Sequence, residues 1–290
     1  NFEDLDTMAI GNIYQIHTYI KERLIADKPN YIFLDEIQNI NEFQRLVDSL
    51  YIKPNVDVYI TGSNAYMLSG ELATLLTGRY VEINLLPLQF SEYYNFMLSK
   101  SPNLSKQEIL ANYIYYGGIP EYIKQLNINE KQADLFAQSI LKTIVEKDIF
   151  QRLNITNKHD FNKILDFIFD TVGSYVSPRS ISDTLRSNGT IVDKQTVAKY
   201  LDALCEAYLI YKVPRFEIKG KGLLQTLNKY YAVDPCFAKV RLKKTILKDR
   251  SHWLENMVYL ELIRRNKEVF IGKRNNLEVD FVAIDYNDYT

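Results

Sequence analysis

Four consecutive apolar residues, Tyr31-Ile32-Phe33-Leu34, run directly into two carboxylates, Asp35 and Glu36. A short unbroken apolar run is the pattern of a strand covered on both faces, and such strands belong to parallel sheets flanked by helices. The surrounding segments agree. Residues 9–25 carry Ile13, Ile16, Tyr19, Ile20 and Leu24 at helical spacing. Residues 41–50 read as a helix with Asn41 at its N-cap. Residues 56–60 read as a second strand that ends in Thr61-Gly62-Ser63-Asn64. Residues 67–76 read as a helix stopped by Gly78, and residues 80–85 as a third strand. Strand, helix, strand, helix, strand implies right-handed crossovers and an open α/β sheet with parallel strands.

A chain of 290 residues exceeds one ordinary core and suits several domains. After Phe90 the pattern becomes helical, with a break at Gly117-Gly118-Ile119-Pro120, and helices continue to about Leu153. An amphipathic helix over 161–172 follows. A second starts at Pro178, a favoured first helical position, and ends at Asn188-Gly189. A third, over 194–207, is capped by Asp193. Residues 209–213 and 215–218 read as two strands paired around a turn. Three helices and a hairpin make the winged-helix layout, with residues 194–207 in the recognition position. The last segment pairs a helix over 252–265 with strands over 269–273 and 277–284.

No run of 18 or more apolar residues occurs, so no membrane-spanning helix is expected, and the opening Asn1-Phe2-Glu3-Asp4 lacks the features of a signal peptide. The two cysteines, Cys205 and Cys236, form no CxxC, and the histidines His17, His159 and His252 are scattered. These features fit a reducing cytoplasm and exclude a disulfide framework or a histidine-built zinc site. The net charge of −1 hides an asymmetry: 13 acids against 7 bases from Asn1 to Lys100, but 11 bases against 3 acids from Lys212 to Arg250. Such a local excess attracts nucleic acid or an acidic partner; a solvated lysine-rich surface is the alternative.

The chemistry is expected at the end of the first strand. Ligands of open α/β sheets bind beyond the carboxyl ends of the strands. In phosphoryl transfer, one acid there holds the water shell of Mg²⁺ and the next activates the attacking water. Ser63 and Asn64, after the second strand, can touch a γ-phosphate or that water. Arg79 can neutralise transition-state charge, including that on a neighbouring subunit's nucleotide; a structural ion pair is its other reading.

The runs YIFLDEIQN, YITGSNA and LLTGRYVEINLLPLQFSEYY together resemble the archaeal and bacterial AAA+ P-loop ATPases that carry a helical lid, a winged helix and a restriction-endonuclease-like C-terminal domain. The resemblance covers almost the whole chain. It implies an ATPase core over 1–95, a lid over 96–155, a winged helix over 156–222 and a partial nuclease-like domain over 223–290. By it, Asp35 and Glu36 match the Walker B acids, Ser63-Asn64 the sensor-1 segment and Arg79 a candidate arginine finger, with ATP and Mg²⁺ as cofactors. DNA becomes the expected partner, through the winged helix and the basic stretch, and a homo-oligomer is compatible with the finger.

One departure is clear. No G-x-x-x-x-G-K-[ST] occurs in these residues. The lysine and backbone amides that cradle phosphates are therefore expected in a longer, full-length protein, and these residues alone are expected neither to bind nor to hydrolyse ATP well. In the C-terminal part, Glu255 on a helix and Asp280 in Glu278-Val279-Asp280 resemble half of a PD-(D/E)XK metal site. The Glu/Asp-x-Lys strand of such a site is expected after Thr290, and a degenerate, structural nuclease-like fold is favoured. A non-hydrolytic DNA-binding or interaction scaffold is the alternative to the ATPase.

Overall fold

The computed structural model describes residues 1–62, 79–126, 128–217, 222–243, 250–265, 267–274 and 277–285. It divides into two compact units, residues 1–83 and residues 84–290.

The first unit is a small α/β layer. Helix α1 (Leu5–Met8) is followed by α2 (Ile13–Lys21), which opens on a reciprocal capping box between Asn12 and Gln15. Strand β1 (Asn30–Leu34) runs parallel to β2 (Val56–Ile60) in simple register from Asn30↔Val56 to Leu34↔Ile60. Between them lie a short 3₁₀ turn, Ile37–Asn39, and helix α3 (Phe43–Tyr51). Phe43, Leu46, Val47 and Leu50 recur at helical spacing, and they bury one face of α3 with Leu34, Ile37, Ile13 and Ile16.

Three expectations change here. Helix α3 begins after Glu42 rather than after Asn41. Strand β1 has one covered face: Tyr31 and Phe33 are 60% and 71% exposed, and Phe33 stacks on Tyr59 of β2 with ring centroids 4.9 Å apart. Residues 80–85 form no strand. Val81, Ile83 and Leu85 are 88%, 74% and 92% exposed, and among the described residues this run belongs to neither sheet. Alternating apolar residues are only a local signal; a strand also needs a neighbour to bond to. The expected helix over 67–76, with Ser63, Asn64 and Gly78, lies outside the described residues.

The second unit starts with four helices: α4 (Phe90–Lys100), α5 (Lys106–Tyr116), α6 (Pro120–Leu126) and α7 (Glu130–Thr143). A π-helical run, Ile144–Gln151, continues α7. Gly117, at φ +80°, ends α5 where an added Cβ would lie 1.8 Å from a carboxylate oxygen of Asp234. Helices α8 (Lys158–Asp170), α9 (Pro178–Ser187) and α10 (Lys194–Glu206) follow, with β3 (Tyr175–Val176) before α9. Side chains of Asn157, Ser177 and Asp193 cap these helices. Phe161, Ile164, Leu165 and Ile168 of α8 bury against Val197, Leu201 and Leu204 of α10 in one core.

The expected two strands around a turn are one strand. Strand β4 (Ile210–Glu217) runs through Pro214 and pairs antiparallel with β5 (Gly222–Ala232). The register shifts between Val213 and Arg215, so the proline, which cannot donate to a ladder, sits at the irregularity. Helix α11 (Pro235–Leu242), capped by Asp234, and helix α12 (Arg250–Arg264) lead to β6 (Lys267–Arg274) and β7 (Leu277–Asp285). The sheet order is β3-β5-β4-β6-β7, with β4 and β6 parallel and the other neighbours antiparallel.

Candidate active site at the end of the first strand

Because β1 and β2 are parallel and end in register at Leu34↔Ile60, Asp35 and Thr61 leave the sheet side by side. The Thr61 hydroxyl donates to Asp35 Oδ1 at 2.5 Å and accepts the Glu36 backbone N–H at 3.1 Å. Thr61 N–H bonds to the Leu34 carbonyl, and Ile37 N–H to the Thr61 carbonyl. Phe2 N–H bonds to the Asp35 carbonyl at 2.9 Å, tying residue 2 to the same corner.

Glu36 adopts φ 54°, ψ 44°, the left-handed region that costs a non-glycine residue about 1 kcal/mol or more. That bend starts the 3₁₀ turn and brings the Gln38 side chain back, where Nε2 donates to Glu36 Oε2. Between them Ile37 is fully buried and anchors the turn. The two acids are half-buried.

Asp35 thus has one carboxylate oxygen fixed by Thr61 and presents the other at the strand end. A hard oxygen of this kind suits the water shell of Mg²⁺. Among the described residues no group of three or more His, Cys, Asp or Glu side chains could hold a metal directly, so the fit is to a cation held chiefly by water and phosphate. No G-x-x-x-x-G-K-[ST] occurs in this sequence to supply phosphate contacts.

Arg79 makes an ion pair with Asp48 at 2.9 Å and lies over the Tyr51 ring, both on α3, instead of bonding to the two acids. Ser63 and Asn64 are outside the described residues. Of this corner, Gln38 did not stand out in the sequence as a site residue, and Thr61 did so only as the first of the small polar residues after the second strand. Thr61 was legible in principle, since two five-residue strands in register place it opposite Asp35. Gln38 was not, because residues two apart on a helix do not face each other and only the left-handed turn joins it to Glu36.

The C-terminal pair is built differently. Glu255 on α12 accepts hydrogen bonds at Oε1 from Lys229 Nζ at 2.8 Å and Tyr231 OH at 2.5 Å, both on β5. Lys229, only 5% exposed, also lies 2.6 Å from Glu278 on β7. Burial alone would lower the Lys229 pKa, but the hydrogen bonds to Glu255 and Glu278 raise it, so the ammonium stays charged. The lysine, rather than a cation shared with Asp280, bridges Glu255 to β7. Asp280 is exposed.

The basic stretch from Lys212 to Arg250 is partly internal. Lys229 is spent on these two acids, Lys239 on Asp134 and Glu130 of α7, and Arg241 on Asp166 of α8. Among the described residues no helix is long and apolar enough to cross a membrane.

Comparison with known proteins bears on this corner. Residues 1–94 match the family model of an AAA domain, and residues 107–246 that of a domain of unknown function. An uncharacterized protein of Haemophilus influenzae is 36% identical over 284 residues, which covers 98% of this chain and 70% of that protein. An uncharacterized protein of Methanocaldococcus jannaschii is 28% identical over 298 residues, covering 99% of this chain and 66% of that one. Among solved structures, the Walker-type ATPase PABY2304 of Pyrococcus abyssi matches with a TM-score of 0.52 at 16% identity, over 73% of this chain and 63% of that chain. At that identity the likeness is one of fold. Parallel strands β1 and β2 with two acids after β1, together with the AAA-domain match, make residues 1–94 P-loop ATPase-like, and at 36% identity the chain belongs to the family of the Haemophilus influenzae protein.

Proposed function

We propose that the full-length protein is a Mg²⁺-dependent ATPase whose catalytic edge is the corner formed by Asp35, Glu36 and Thr61. The observation that carries this reading is the bridging hydroxyl of Thr61, which holds Asp35 through Oδ1 and Glu36 through its backbone N–H. Bound Mg²⁺ would neutralise charge on the phosphates. Asp35 orients the water shell of that ion. Glu36, half-buried at the bend, takes the proton of the attacking water. Thr61 keeps the two acids in fixed relation, so little reorganisation is needed during reaction. Ser63 and Asn64 complete the γ-phosphate side, and Arg79 acts as a finger once released from Asp48, in a homo-oligomer.

The boundaries that go with this reading are a core over 1–95, a lid over 96–155, a winged helix over 156–222 and a nuclease-like module over 223–290. The winged helix is supported by three capped helices followed by β4, whose antiparallel partner β5 begins at Gly222 and runs on past that boundary, with β3 beside it. Its target is DNA, met by the exposed Lys194, Gln195 and Lys199 of α10. Nuclease activity is not part of the proposal, because Lys229 and Tyr231 already occupy Glu255.

The deciding experiment is ATP turnover by the full-length protein, wild type against Glu36→Gln. Mg²⁺-dependent hydrolysis that disappears in the variant while ATP still binds supports the reading. Absence of wild-type turnover, with and without DNA, overturns it in favour of a binding scaffold.

A further inference from the structure

We propose that Gln38 is a positioning residue for Glu36, fixing which carboxylate oxygen meets the attacking water; this rests on the ATPase reading above. Gln38 Nε2 donates to Glu36 Oε2 at 2.5 Å. The other end of the amide, Oε1, is buried and has no hydrogen-bond partner among the described residues. A buried, unsatisfied acceptor is uncommon in a folded protein and calls for a reason. Exchanging the amide's oxygen and nitrogen does not supply one, because it would set a carbonyl against a carboxylate. The amide is therefore oriented by Glu36 and not by its own acceptor.

Both ends of Glu36 are then held: the backbone N–H by Thr61 Oγ1 and the carboxylate by Gln38. The left-handed conformation of Glu36 makes this possible, since it turns the side chain two residues on back toward the acid. Ile37, with no exposed surface, prevents the turn from unwinding. With Oε2 engaged, Oε1 is the oxygen left to accept a proton. Rotation about the side chain, which would swing that oxygen away from a bound water, is suppressed. General-base efficiency depends on such placement.

The test uses the full-length protein and Mg²⁺-ATP, with Gln38→Met (similar length, no donor), Gln38→Glu (same shape, like charge) and Gln38→Asn (donor kept on a shorter stem). Gln38→Met and Gln38→Glu should lower kcat by about 10–100-fold with KM for ATP unchanged, the range typical when a residue that orients a site ligand from outside is lost. Gln38→Asn should retain more turnover than Gln38→Met. A change confined to KM, turnover of Gln38→Asn no greater than that of Gln38→Met, or wild-type kcat in all three variants overturns the role of Gln38 alone. A wild type without turnover, or full turnover in Glu36→Gln, overturns the ATPase reading and this role with it.

Discussion

Gly118 donates its backbone N–H to the Asp234 carboxylate at 2.6 Å, across 116 positions of sequence. Asp234 is 1% exposed, also accepts from Cys236 N–H, and caps α11. It joins the break after α5 to the start of α11 by a charge that the interior does not readily tolerate. Burial pushes its pKa up to about 6, against hydrogen bonds from Gly118 and Cys236 that pull the other way.

The pH dependence of stability follows from that shift. Between the ordinary carboxylate value of 3.8 and about 6, the native chain keeps a proton that the unfolded chain releases. The stability gained by protonation is thus full below the lower value and is lost as pH rises through the upper one. The contribution should be on the order of 3 kcal/mol. Urea unfolding of wild type and Asp234→Asn from pH 4 to 7 checks it: the wild type should lose stability relative to the variant over this window.

Gly117→Ala should destabilise more than Gly189→Ala, although both glycines have φ +80°. At Gly189 an added Cβ meets nothing within 4 Å among the described residues, so only the backbone cost of about 1 kcal/mol applies. At Gly117 the same atom would collide with Asp234, and the cost should reach about 3 kcal/mol or more. Chemical-denaturation midpoints of the two variants give the difference directly.

Lys229→Met should cost about 3–5 kcal/mol, because it leaves Glu255 without its cation in a site that is largely closed to water. Combining it with Glu255→Gln should recover part of that loss, as expected when a stranded charge is the main penalty. Unfolding free energies of the two single variants and the double variant form the cycle.

Thr61→Val keeps the shape of the side chain and removes the hydroxyl that serves both Asp35 and Glu36. ATP turnover of the full-length protein should fall by about 10-fold or more, with Thr61→Ser close to wild type. Equal turnover in Thr61→Val and wild type would show that the hydroxyl is dispensable.

The sequence made β1, β2 and the helices of the second unit legible because their apolar residues repeat locally at a strand or helix period. Val81, Ile83 and Leu85 misled for the same reason, since alternation says nothing about whether a partner strand lies alongside. Pro214 suggested a turn, whereas two long strands accommodate it by shifting register. The charges hid most. Lys229, Lys239 and Arg241 read as one solvated basic stretch, and only the passage of β5 and α11 beside α7, α8 and α12 turns them inward. Around the two acids, Asp35 and Glu36 were visible as carboxylates after a strand, while the Gln38 contact depends on a backbone conformation that no composition signals.

The parallel pairing of β4 with β6 sets an order on assembly during synthesis. Strands β3, β4 and β5 can form once the ribosome has delivered residue 232, but residues 215–217 must wait for 271–273 before their second ladder closes. In that interval β4 offers an open edge of unpaired amides and carbonyls to any neighbouring nascent chain. A chain stalled short of β6 would therefore keep that edge of β4 uncovered for as long as the stall lasts.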